Sequence, residues 1–78
     1  MTELEALNWI TELFEEQPGS LAPETSRAQV PAWYSLGVLT LMAALDERFG
    51  IVLSDREIQG MKKVGDILDI LRRHEELS

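Results

Sequence analysis

The chain has 78 residues, with fourteen acidic against seven basic side chains, a net charge of −7 and no cysteine. That length allows one small domain, residues 1–78, with a modest core. Disulfides and thiolate metal sites are excluded, and the negative surface disfavours nucleic acid and anionic membranes while favouring basic protein partners.

The opening MTELEALNWI is acidic and lacks the basic-then-apolar order of a signal peptide, so a cytoplasmic protein is expected. Residues 2–16 read as the first helix. Thr2 and Glu5 have capping-box spacing. Leu4, Leu7, Ile10, Leu13 and Phe14 recur at helical spacing, with Ala6 and Trp9 beside them. Pro18 and Gly19 are the expected stop.

Residues 17–34, QPGSLAPETSRAQVPAWY, form a long connection broken by Pro18, Pro23 and Pro31. A loop of that length in a small domain is functional or well docked. Leu21, Val30 and Trp33 are its expected anchors to the core.

The second helix is predicted over Ser35–Phe49, with Leu36, Leu39, Met42, Leu45 and Phe49 on its buried face and Val38 and Leu41 beside them. It is apolar enough that neighbours are expected to cover it on more than one side. Gly50 is placed to end it. The apolar stretch Val38–Leu45 is far too short to span a bilayer. Ser54 and Glu57 repeat the capping-box spacing ahead of a short helix closed by Gly60. The last helix is predicted over Val64–Glu75, with Val64, Ile67, Leu68 and Leu71 as its stripe and Ile70 at the edge. Asp66 near its start and Arg72, Arg73 and His74 near its end suit the helix dipole. No strand alternation occurs. The expected fold is all-α, a small irregular four-helix bundle of three long helices and one short.

Several of these stretches carry a resemblance. WYSLGVLTLMAALDERFGIVLSDREI, followed by KVGDILDIL, resembles the acyl carrier protein family in order and spacing, and PGSLAPETSRAQV is similar to that family's first loop. The family's Asp-Ser-Leu motif at the head of the second helix is matched by Tyr34-Ser35-Leu36. Leu45-Asp46-Glu47-Arg48-Phe49-Gly50, Ile51-Val52-Leu53, Ser54-Asp55-Arg56-Glu57 and Val64-Gly65-Asp66 match the family's later landmarks. The resemblance implies that a phosphopantetheinyl transferase, using magnesium, moves 4′-phosphopantetheine from coenzyme A onto Ser35. Acyl or aminoacyl groups then ride as thioesters on the arm and pass between acyl-loading and acyl-using enzymes. The Trp-x-Ser-Leu-Gly form is similar to carriers outside ordinary fatty-acid synthesis, which suggests a specialised biosynthetic pathway.

The residues themselves agree in part. A helix N-terminus suits a phosphodiester, and a tethered cargo gains effective concentration near a docked partner. No nucleophile–base pair, metal cluster or phosphate-cradling glycine loop is present, so no enzyme activity is expected. The docking surface for basic partners is expected to comprise Val38, Met42, Asp46, Glu47, Asp55 and Glu57, on a monomer. Early in the second helix, where many family members carry acids, this chain has Gly37 and Thr40.

The departure is Tyr34, where the family has aspartate. Tyrosine is a poor N-cap, and Ser35 could take over capping and so tie up its own hydroxyl. Three accounts stay open: a transferase adapted to tyrosine, an unmodified carrier-like module that binds a basic partner, or an altered chain in which one base change replaced the aspartate.

Overall fold

Four α-helices carry the chain in the computed structural model, which describes every residue from Met1 to Ser78. They are α1 (Glu3–Leu13), α2 (Ser35–Phe49), α3 (Asp55–Gly60) and α4 (Val64–Arg73), with a 3-10 turn, Arg27–Gln29, inside the long first loop. The all-α four-helix architecture is the one expected, with α3 as the short member.

Local chemistry fixes the helix starts. The Thr2 amide donates to Glu5 Oε1 at 2.8 Å and the Glu5 amide to Thr2 Oγ1 at 3.1 Å. Ser54 and Glu57 make the same reciprocal pair at 3.0 and 3.1 Å, so both predicted capping boxes form. At the head of α4, the Asp66 carboxylate accepts from the Lys62 and Lys63 amides at 2.8 and 3.1 Å.

Two helices stop earlier than their apolar pattern suggests. α1 ends at Leu13, not residue 16, because Glu15 turns left-handed with φ 56°. The Glu15 amide then reaches the Glu12 carbonyl and the Glu16 amide the Thr11 carbonyl, a Schellman closure that satisfies the last turn before Pro18 and Gly19 are met. α4 closes the same way around Glu75, φ 59°, so it ends at Arg73 and not at Glu75. Gly50, φ 68°, ends α2 and Gly60, the last residue of α3, ends the short helix, both as expected.

Seventeen buried apolar residues form one cluster drawn from α1, α2, α4 and the connections between the helices, with Ile58 of α3 packed half-buried against it. Leu21, Val30 and Trp33 anchor the first loop as expected, and Trp33 stacks on Phe14 with ring centroids 5.3 Å apart. The buried Thr11 hydroxyl is satisfied by the Leu7 carbonyl at 2.6 Å. Trp9 flanks the core, edge-on to Phe49 at 5.4 Å, with Arg48 over both rings. Ile70, expected at an edge, is fully buried.

The predicted faces of α1 and α2 need correction. On α1 the buried line is Ala6, Ile10, Thr11 and Phe14, and Leu4 is exposed. On α2 it is Gly37, Val38, Leu41 and Leu45, while Leu36 and Leu39 are 59% and 61% exposed. The neighbours therefore leave one flank of α2 open. An all-round apolar helix offers several stripes of equal merit, and tertiary packing chooses between them.

Backbone hydrogen bonds stitch the first loop to the entrance of α4. The Arg27 amide donates to the Lys62 carbonyl (2.8 Å), the Val64 amide to Thr25 (2.9 Å) and the Gly65 amide to Pro23 (2.7 Å), around an isolated antiparallel bridge between Ser26 and Lys63. These bonds set one wall of the region described next.

Candidate functional site

Ser35 is the first residue of α2 and is exposed. Tyr34 takes the N-cap, with extended backbone (φ −111°, ψ −166°) and no side-chain capping bond. The serine is therefore not consumed as the cap. With no side-chain acceptor at the cap, the first amides of α2 stay available to an anion beside the hydroxyl.

Gly37 fixes how the serine is held. A Cβ there would stand 1.9 Å from the Ala32 carbonyl oxygen. The buried glycine lets α2 start directly against the loop, where Trp33 is sealed into the core and Tyr34 turns outward, 57% exposed. An acid at this position would have no room, which gives the absence noted in the sequence a packing cause.

Tyr34 stands between two depressions. One, about 660 Å³, is lined by Ser26, Arg27, Ala28, Trp33, Tyr34, Ser35, Gln59, Met61 and Lys62. Its lining holds two cations and no acid. The other, about 210 Å³, is lined by Leu13, Phe14, Glu15, Ala32, Tyr34, Leu36, Gly37 and Thr40 and is mostly apolar. A third hollow of about 670 Å³ lies between α3 and α4, away from Ser35, and mixes Glu57, Asp66 and Asp69 with Arg56, Arg72 and Arg73. The cleft that reaches Ser35 thus sets two cations among apolar and neutral polar side chains and suits an anionic group.

The predicted docking residues separate. Asp46, Glu47 and Asp55 are exposed, and Met42 is half-buried. Val38 is buried in the core, so it supports the surface from beneath and does not form it. Glu57 is engaged inside the molecule: its carboxylate accepts from the Ser54 amide at 3.0 Å and pairs with Arg73 and His74 at 3.7 and 3.8 Å. The Ser54 backbone N–H, aided by the Ser54 hydroxyl, Arg73 and His74, holds that carboxyl below the usual glutamate range. Leu36 and Leu39, assigned to the core from periodicity, are the residues that stand out beside Ser35. Their exposure could have been foreseen only from the steric demand at Gly37, which rotates α2 against the loop.

No family model matches the chain. It is 32% identical over 75 residues to an acyl carrier protein of Thermosynechococcus vestitus, covering 91% of this chain and 93% of that protein. It is 25% identical over 80 residues to a meromycolate extension acyl carrier protein of Mycobacterium leprae, covering 97% of this chain and 70% of that protein. Its fold superposes on the solution NMR structure of a holo acyl carrier protein from Geobacter metallireducens with a TM-score of 0.79, at 32% identity, over 96% of this chain and 87% of that one. Helical architecture and sequence agree, and the chain belongs to the acyl carrier protein family. Members of that family are carriers and not enzymes. No helix here is long and apolar enough to cross a membrane.

Proposed function

We propose that this protein carries acyl or aminoacyl groups as thioesters on a 4′-phosphopantetheine arm attached to Ser35, and delivers them to partner enzymes. The observation that carries this is the exposed Ser35 hydroxyl at the first position of α2, left free by Tyr34 at the cap, in a chain of this family. The residues fit the group: unclaimed helix amides and an acid-free cleft meet at the serine. Ser35 supplies the oxygen that bonds to the arm's phosphorus. The pyrophosphate link of coenzyme A breaks, adenosine 3′,5′-bisphosphate leaves, and the serine proton goes to a base on the phosphopantetheinyl transferase. The arm supplies the terminal thiol that bears the cargo.

Asp46, Glu47 and Asp55 draw in enzymes with basic docking surfaces, and Leu36 and Leu39 give them an apolar contact beside the serine. A specialised biosynthetic route, in the cytoplasm and as a monomer, is the setting we propose. The likeness to the mycobacterial carriers, whose names state meromycolate extension, supports a specialised route.

The test is intact-protein and peptide mass spectrometry after incubation with coenzyme A and a broad-specificity transferase. A phosphopantetheine mass on the Ser35 peptide, absent from Ser35→Ala, is the expected result. An unmodified parent beside a readily modified Tyr34→Asp variant would overturn it and leave the unmodified, partner-binding module.

A further inference from the structure

Five of the seven basic side chains make no ion pair although acids outnumber bases two to one. Two of those five, Arg27 and Lys62, line the cleft that reaches Ser35. Arg27 is half-buried and held in place: its Nε donates to the Trp33 carbonyl at 3.1 Å, and its guanidinium lies over the Trp33 ring at 5.8 Å. That leaves its terminal amino groups without a carboxylate. A fixed, partly desolvated guanidinium with no counter-ion is an incomplete arrangement that an anion would complete. The same cleft is walled by Trp33, whose buried Nε1 has no hydrogen-bond partner, and by Met61 and Ala28. Ser26 and Gln59 offer polar groups along it.

We infer that this cleft, between the Ser26–Ala28 turn and the Gln59–Lys62 link, seats the arm carried on Ser35, with Arg27 and Lys62 as partners for its phosphodiester. Ala28, backed by the buried Trp33 and Met61, receives its branched apolar carbons, and Gln59 and Ser26 are placed for its amides. The apolar hollow on the other side of Tyr34 has no cation in its lining and does not compete for the phosphodiester. This rests on the attachment to Ser35 proposed above. It adds that the arm has a preferred resting side, so the carrier presents its thiol from the loop side of α2 and not from the Leu36–Leu39 flank.

The chain has no cysteine, so a maleimide nitroxide placed on the loaded protein reaches the arm's thiol alone. Loading is confirmed by mass, and amide signal loss caused by the label is read by NMR. The expected result is stronger broadening at Ala28, Gln59, Met61 and Lys62 than at Leu36 and Thr40. In Lys62→Glu that excess falls by roughly half or more, as for reversal of an exposed charge contact, and Lys62→Arg keeps it. The Lys62 side chain is exposed, so these changes leave the fold intact. Equal broadening on both sides of Ser35, or an excess that Lys62→Glu does not change, overturns the resting side while the carrier reading stands. Absence of any mass gain in the parent overturns both.

Discussion

Replacing Gly37 with alanine tests the packing that sets Ser35 in place. The new Cβ would lie 1.9 Å from the Ala32 carbonyl oxygen and 2.9 Å from its carbon, against 3.4 Å for ordinary contact. The two backbones must therefore part by about 1.5 Å, because no rotamer can move a carbonyl. Overpacking costs about 1–3 kcal/mol and sometimes more. Alanine's better helix propensity returns at most about 1 kcal/mol in the first turn. With backbone on both sides the upper end applies, and the net loss is about 2 kcal/mol. For a domain of this size each kcal/mol moves the melting point by about 4–8 °C, so a fall of roughly 8–16 °C is expected. Far-UV circular dichroism during heating and urea titration measures it. Gly60→Ala is the control: a Cβ there meets nothing within 4 Å, and stability stays level or rises. A Gly37→Ala protein that melts at or above the parent temperature would refute the close-approach argument.

Tyr34→Asp gives α2 the side-chain cap it lacks and should add about 0.5–2 kcal/mol, read as a raised urea midpoint. Leu41→Ala, in the core, should cost about 2–5 kcal/mol, and Leu39→Ala, on the open flank, less than about 0.5 kcal/mol; reversal of that order would restore the buried face expected from periodicity. The Glu57 carboxyl is held low by the Ser54 amide and by Arg73 and His74, so its ionised form contributes stability above the unfolded-state pKa. That contribution disappears as the pH falls through the lower, folded-state value. Acid titration of unfolding stability should therefore be shallower for Glu57→Gln than for the parent, and parallel curves would count against this role.

Elements were far easier to read than faces. Thr2 and Ser54 announce their helices because a capping box is a local arrangement of four residues, and Leu21, Val30 and Trp33 stand out as apolar residues in a polar loop. Gly50 is legible because a left-handed closure favours glycine. Glu15 and Glu75 are not, since a non-glycine residue takes that conformation only when surrounding packing holds it there. The stripe on α2 failed for another reason. Leu36, Val38, Leu39, Leu41 and Met42 leave the helix apolar all round, and the choice was made by a carbonyl at Ala32, five residues before Gly37. Ser35 was visible through its neighbours in sequence. The cleft beside it was not, because Arg27 and Lys62 meet only through tertiary structure, and nothing in RAQ or MKK sets those cations apart from ordinary surface charge.

The stitching of the first loop to the entrance of α4 joins Ser26 to Lys63, 37 positions along the chain. Such closure is slow compared with helix formation, because distant segments must meet before any bond repays the lost freedom. The amides and carbonyls that brace the serine end of α2 therefore come from segments far apart in the chain, and they join only when the whole domain closes. Under the function proposed above, a transferase that needs the braced platform would meet a usable substrate only after that closure. Attachment at Ser35, as proposed above, would then be stamped on molecules whose two halves have found each other.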